Sequence, residues 1–318
     1  MPQLLPFSDE TIAQAAALIA AGQVVAMATE TVYGLAADAT RAESVARIYA
    51  AKGRPSFNPL IVHVPDLPAA EALAVFDTQA LALAAAFWPG PLTLVLPLRP
   101  DAGLTAAVTA GLPTVAIRVP AHRAMRALLA ACGKPLAAPS ANRSGGISPT
   151  QAAHVAASLG GAVPLIVDDG ACPQGVESTI VAGRTVLRPG PITGAMIAEI
   201  LAASAGKVGE TEDAEAGRQP SLGRVTAPGQ LDSHYAPSKP LRLNVTAAGA
   251  GEWLIGFGPV AGDDTLSATA DLAEAAARLF AALHRADASD RAAIAVAPIP
   301  SEGIGVAISD RLKRAAHR

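Results

Sequence analysis

Cysteine is scarce. Among 318 residues only Cys132 and Cys172 occur, and no CxxC is present. Neither a Cys-built zinc site nor a disulfide framework organises the chain, and a reduced, cytoplasmic setting fits best. Charge is scarce too, at 16% of residues with a formal net charge of -3. That argues against a long groove wrapping a polyanion and leaves room only for a local basic pocket. The opening MPQLLPFSDETIAQ has acids where an export signal needs a basic stretch, so no such signal is expected. Phosphate motifs are missing as well: there is no GxxxxGK[ST] loop and no GxGxxG turn in a βαβ setting. GFGPVAG, near Gly256, matches only loosely. HExxH and Ser-His-Asp signatures are absent. A nucleotide site in this chain must be of another design. One uncharged run, residues 80–98, has the length of a membrane span. WPGP, Trp88 to Pro91, sits in its middle; two prolines and a glycine end a helix there, and TLVLPL reads as a buried strand.

What is present alternates. Helices are expected over 9–21, with Ser8 as cap and Gly22 as stop, and over 42–51, 78–87, 121–132 and 150–158. Between them, strands are expected over 24–29, 60–64, 92–97, 114–119, 135–138 and 163–167. This is an α/β pattern. Around Ala202 the apolar period stops. A first domain over 1–204, a linker over 205–238 and a small three-layer α/β domain over 239–318 follow. The last has strands at 241–245, 253–257 and 293–299 and helices at 272–284 and 306–315. No internal repeat is visible.

Polar chemistry gathers in a few stretches. KGRPSFNPLIVHV holds Lys52 and Arg54 around a glycine, with Asn58 nearby. Convergent cations and an amide suit a phosphate chain, and they equally suit a solvated loop. His63 lies in a strand on the side opposite Val62 and Val64; a lone strand histidine serves as a packed residue or as a ligand contact. In AAPSANRSGGISPT, Ser148 or Thr150 reads as a cap for the next helix, with Pro149 in its first turn. Ser140, Asn142 and Ser144 stand upstream of any cap, where Gly145 and Gly146 allow a ligand to approach the backbone. TETVYGLAAD sets Thr29, Thr31 and Tyr33 around one acid, Glu30, or forms a tight turn at Gly34. Arg118 sits in an apolar strand on the same side as Thr114, which calls for a ligand carboxylate or an internal acid as partner. ESTI and LRPG add another hydroxyl pair, Ser178 and Thr179, and Arg188.

Together, TETVYGL, KGRPSFNPL, PGPLTLVL, AIRVP, PSANRSGGISPT, ESTI and LRPG, in this order, resemble the YrdC-like threonylcarbamoyl-adenylate synthases. PGQLDSHYAP and DLAEAAARLFAALHRAD resemble the long two-domain form, so the likeness spans nearly the whole chain. It implies a twisted mixed sheet with flanking helices and a central cavity, plus a Rossmann-like C-terminal domain. It implies that L-threonine, bicarbonate and ATP, with Mg²⁺, give threonylcarbamoyl-adenylate and pyrophosphate. A tRNA-modifying transferase complex then takes the product, and any contact with tRNA itself is weak or indirect. By motif, Thr31, His63, Arg118, Ala138 and Ser178 hold threonine, Arg118 through its carboxylate. Lys52, Arg54, Asn58, Thr114, Ser140, Asn142, Ser148 and Arg188 hold ATP, with Lys52 and Arg54 as the catalytic cations. Tyr235 reaches back over the nucleotide on a linker that acts as a lid. The position after STIV that is often acidic in this family is Ala182 here, so metal ligands stay unassigned, and no general base is evident. Three other readings remain: a double-stranded RNA-binding module, a carbamoyl-adenylate enzyme fed by carbamoyl phosphate, and a C-terminal domain that binds independently. The second usually brings cysteine-rich zinc segments, which this chain does not have.

Overall fold

Ser8 starts the first helix, Asp9–Ala20: its hydroxyl accepts the Thr11 N–H, and Asp9 and Glu10 sit at the positive end. The structure is a computed structural model that describes residues 1–205 and 234–317. Asp77 caps Thr78–Phe87 in the same way, through the Ala80 N–H. That helix stops at Trp88, and Leu92–Pro97 follows as a strand, as WPGP requires. No helix among the described residues is long and apolar enough to cross a membrane.

Ten strands form one mixed sheet. In chain order they are β1 (Gln3–Pro6), β2 (Val25–Met27), β3 (Gly34–Asp38), β4 (Ile61–His63), β5 (Leu92–Pro97), β6 (Thr114–Arg118), β7 (Leu136–Ala137), β8 (Leu165–Asp168), β9 (Thr179–Ala182) and β10 (Thr185–Arg188). Their spatial order is β1-β8-β2-β3-β7-β4-β6-β5-β9-β10. Alternation along each strand sorts the side chains between two faces. One face carries Ala37, Val62, Leu94, Ile117 and Val181 into the largest apolar cluster. Helices Ala42–Lys52, Thr78–Phe87, Ala152–Leu159 and Gly194–Ala205 cover it through Val45, Leu83, Val155 and Leu201. The other face is covered unevenly. Helices Asp9–Ala20 and Arg123–Cys132 pack on Val25, Met27, Ala36, Leu136 and Val167. They leave β4, β6 and β9 with only a small cluster of Ile61, Ala116 and Ile180. The functional cavity forms on this stretch.

The second sheet is parallel: β11 (Leu241–Arg242), β12 (Glu252–Gly256), β13 (Asp264–Thr265) and β14 (Ala293–Val296), in the order β11-β14-β12-β13. Ile255, Ile294 and Val296 face the helices Leu272–Ala288 and Gly305–Ala316. Leu254 and Ala295 face the other way, onto Val245 and Val260 from connecting segments. The two domains touch through apolar side chains, since Val32, Ile147 and Val176 belong to the same cluster as Phe280 and Leu283. Gly175 makes the approach close: its φ is +67°, and a Cβ there would lie 2.2 Å from the Ala276 carbonyl oxygen.

The expected capping by Ser148 or Thr150 is corrected. The helix begins at Ala152 after Gln151, with no side-chain cap. The Ser148 hydroxyl is committed to Glu177, and the Thr150 N–H donates to His154 Nδ1. Tyr33 also departs from the expected cluster around Glu30. Its hydroxyl donates to Asp168 and to the Gly170 carbonyl instead. Of the expected linker, residues 206–233 lie outside the described residues.

Candidate active site

The cavity is walled by Thr31, Val32, Arg54, Ile61, His63, Arg118, Ala138, Pro139, Ser140, Glu177, Ser178, Arg188, His234 and Tyr235. Strand register explains most of this. His63 pairs with Arg118 and Ile61 with Ala116 across β4 and β6, so β4 projects its odd-numbered residues and β6 its even-numbered ones onto the open face. Leu136 stands opposite His63 in β7, which puts Ala138, two residues on, beside the same face. Arg188 ends β10, and Ser178 immediately precedes β9. Arg54 arrives differently: Gly53, at φ +58°, ends the helix in the left-handed conformation and turns the next residue inward.

Two ends can be told apart by their partners. At one end Arg118 lies 2.7 Å from Glu30 and donates to Thr31 Oγ1 at 2.9 Å and to the Gly90 carbonyl at 3.2 Å. The buried arginine therefore has the internal acid that its strand position demanded. Burial alone would raise the Glu30 carboxyl; Arg118 and the Ala121 N–H outweigh it and bring it to about 2. His63 stands beside this pair. Burial, with Arg118 adding, holds its imidazole down at about 3, so it is neutral in ordinary buffers. Its Nδ1 is buried without a hydrogen-bond partner.

At the other end Arg54 and Arg188 have no carboxylate among their hydrogen-bond partners in the described residues. Arg54 donates to the Asn58 and Pro59 carbonyls, at 3.4 and 3.0 Å. Arg188 donates to the Ser178 carbonyl and hydroxyl at 2.9–3.1 Å. Burial lowers both guanidinium pKa values, Arg54 to about 10. Glu177 is the acid at this end. It accepts from Ser148 and pairs at 2.7 Å with Arg311 of the C-terminal domain. Tyr235, in the left-handed region at φ +65°, and His234 close the cavity from above. Ala236 anchors them by donating to the Gly145 carbonyl at 2.7 Å.

Nine of the expected residues thus meet on one wall: Thr31, Arg54, His63, Arg118, Ala138, Ser140, Ser178, Arg188 and Tyr235. Five others do not line it. Lys52 sits behind the Ser140 loop with its ammonium on the Ser140 and Asn142 carbonyls. Asn142 donates to the Arg143 and Gly146 carbonyls, Ser148 is held by Glu177, and Asn58 is fully buried. Thr114 stands at the far end of β6 from Arg118, paired with Pro97. Glu30 as the partner of Arg118, together with Glu177, His234 and Arg311, went unassigned from sequence. No local spacing links Arg311 to Glu177; ESTI and DSHY were the only signals. Buried polar atoms without partners also concentrate here: Asn58 Nδ2 and Oδ1, His63 Nδ1, Asn142 Oδ1, His234 Nδ1 and the Tyr235 hydroxyl. Such groups are rare in native proteins and point to a ligand. Among the described residues, no three His, Cys, Asp or Glu side chains converge to hold a metal ion.

A Sua5/YciO/YrdC family model described as "Telomere recombination" matches residues 17–190. A second, described as "Threonylcarbamoyl-AMP synthase, C-terminal domain", matches residues 192–317. The chain is 40% identical to the threonylcarbamoyl-AMP synthase of Bacillus subtilis, over 98% of this chain and 94% of that one. It is 36% identical to the one from Pyrococcus abyssi, over 95% and 93%. The crystal structure of P. abyssi Sua5 complexed with L-threonine superposes with a TM-score of 0.85 at 34% identity, covering 99% of this chain and 97% of that one.

Proposed function

The chain belongs to the Sua5/YciO/YrdC family, and on that premise we propose that it joins L-threonine, bicarbonate and ATP into threonylcarbamoyl-adenylate, releasing pyrophosphate. It is an enzyme of the threonylcarbamoyl-AMP synthase type. One observation carries the residue assignment: one cavity has an arginine-acid end beside His63 and an end whose two guanidinium groups hydrogen-bond to no acid among the described residues.

Threonine occupies the first end. Thr31, His63, Ala138 and Ser178 surround it, and Arg118 turns part of its guanidinium toward the carboxylate. His63, being neutral, orients the substrate and carries no charge to it. ATP occupies the second end. Arg54 and Arg188 face the phosphates, Ser140 and Tyr235 border them, Asn58, Asn142 and Ser148 support that wall from behind, and Thr114, at the far end of β6, stands apart from it. Lys52 acts mainly by holding the Ser140–Asn142 loop in place.

The threonine amine adds to bicarbonate with loss of water, giving a carbamate. A carbamate oxygen attacks the α-phosphorus, and the bond to the β-phosphate oxygen breaks. Negative charge moves onto pyrophosphate, where fixed guanidinium groups in a water-poor cavity stabilise it strongly. Magnesium enters as part of the nucleotide substrate. Among the described residues Glu177 is the carboxylate that lines that end, and Arg311 and Ser148 already hold it.

Residues 1–204 form the catalytic unit in this reading and 239–318 the second domain. Residues 205–238 are the linker between them, and its described residues His234 and Tyr235 border the cavity and exclude water from the labile carbamate. The product passes to a tRNA-modifying transferase in the cytoplasm. The test is direct: incubate the protein with ATP, Mg²⁺, bicarbonate and each amino acid in turn. Pyrophosphate release that needs both threonine and bicarbonate supports the assignment. Release without threonine, or orthophosphate as product, rejects it.

A further inference from the structure

The C-terminal domain contributes a side chain to the cavity's immediate surroundings. Arg311, on helix Gly305–Ala316, has no exposed surface. Its Nε donates to Glu177 Oε2 at 2.7 Å, and its Nη1 donates to Asp310 at 2.7 Å. Its guanidinium carbon lies 5.1 Å from the centre of the Tyr235 ring, and Phe280 packs on that ring at 5.8 Å. Glu177 in turn accepts from the Ser148 hydroxyl. The Ser148 carbonyl meets His284 Nε2, also from the C-terminal domain, at 3.1 Å. Two residues that wall the cavity, Glu177 and Tyr235, are thus gripped by one guanidinium from outside the catalytic unit.

Stability is a poor reason for such a residue. A buried ion pair roughly breaks even against well-packed apolar side chains, because desolvation offsets the attraction. What a buried pair supplies reliably is geometry and a fixed charge state. We propose that Arg311 is a positioning residue of the synthase site, holding the Glu177 carboxylate against Ser148 and the Tyr235 ring over the cavity, so that the C-terminal domain completes the site.

This rests on the function assigned above. Burial pushes the Glu177 carboxyl up; Arg311 first and Arg188 second outweigh that and hold it below its ordinary value. The other charged or titratable groups facing it are Lys52 behind the loop, His234 and Tyr235 of the linker, and Asp310 beside Arg311. Removing Arg311 leaves the push from burial less opposed. Glu177 then keeps its proton to higher pH and accepts from Ser148 only as a neutral carboxyl, more weakly.

The experiment compares the full-length protein with Arg311→Met, Arg311→Lys, Glu177→Gln and the double variant Arg311→Met/Glu177→Gln. Two quantities are read: the carboxyl ¹³C resonance of Glu177 against pH, assigned by its loss in Glu177→Gln, and the pH dependence of kcat and KM for threonine-dependent pyrophosphate release. In Arg311→Met the resonance titrates about 1–3 pH units higher than in the native protein. Its kcat at neutral pH falls by about tenfold or more and recovers as the pH rises. Arg311→Lys, which keeps the charge, titrates close to the native protein. Glu177→Gln loses kcat without recovery at high pH. A resonance in Arg311→Met that titrates where the native one does, or a loss of kcat that is flat in pH, overturns the proposal. If Arg311→Met fails to fold, the charge-free double variant decides: it folds and loses kcat if the proposal holds, whereas native kcat in it overturns the proposal. A native protein without threonine-dependent release would reject the assigned reaction, while the resonance would still report the Arg311–Glu177 coupling.

Discussion

At the scale of single residues, the cations of the site divide by what they touch. Lys52 is spent on two backbone carbonyls, and its ammonium pKa is driven well below the ordinary value by burial first and by Arg54 second. Leaving those carbonyls unpaired costs about 1–3 kcal/mol each, so Lys52→Met should lower the melting temperature by several degrees as well as the rate. Arg188→Lys is expected to leave the melting temperature nearly intact. It should raise KM for ATP about tenfold or more, because a lysine loses the planar fork. Thermal melts beside ATP titrations distinguish the two outcomes. The buried histidines set the acid limit. His63, His154 and His234 are each held down at about 3, burial being the first cause in every case, against an ordinary value of 6.5. The unfolded chain binds protons that the folded one refuses, so their contribution is complete above pH 6.5 and is lost as the pH falls from there toward 3. The melting temperature should decline steadily on acidification through that window. His154→Phe, which keeps a ring stacked on His284, should make the decline shallower.

At the scale of elements, local signals served well where the chemistry is local. Ser8, read as a cap, caps Asp9–Ala20, and the helix expected over 78–87 runs Thr78–Phe87. WPGP separates Thr78–Phe87 from Leu92–Pro97 at the expected boundaries. The misses have physical causes. GLAAD, which forms β3, is buried on both faces and shows no alternation to read. Ser148 and Thr150 have capping chemistry, but Glu177, 29 residues away, claims the Ser148 hydroxyl. The site was legible as a set of residue types. Their grouping depends on register between β4, β6 and β7 and on a contact between Glu177 and Arg311 spanning 134 residues, which local patterns do not carry. Gly175 tests the packing of elements. Any side chain there meets the Ala276 and Ala277 backbone at under 3 Å, in a left-handed conformation that itself costs about 1–2 kcal/mol. Gly175→Ala should push helix Leu272–Ala288 away from the cavity and lower kcat while circular dichroism stays native. Unchanged kcat would show that the helix need not sit so close.

At the scale of the whole molecule, the large sheet is covered by helices on one face and only half covered on the other. The uncovered half is where threonine and nucleotide are assigned. The linker residues His234 and Tyr235 and the C-terminal domain complete that cover. A chain ending at Ser204 should therefore lose most of its adenylate yield and expose Val32, Ile147 and Val176 to solvent. Hydrophobic dye binding alongside product assay would show both effects, and an undiminished yield would remove the linker and the second domain from the mechanism. The most direct measurement supplies ¹³C-bicarbonate, L-threonine and ATP labelled in the α-phosphate, and analyses the products by mass spectrometry. The account predicts one adduct carrying threonine, the ¹³C carbon and the labelled phosphate, in amounts equal to the pyrophosphate released. An adenylate of threonine without the added carbon, or pyrophosphate without any adduct, would contradict it.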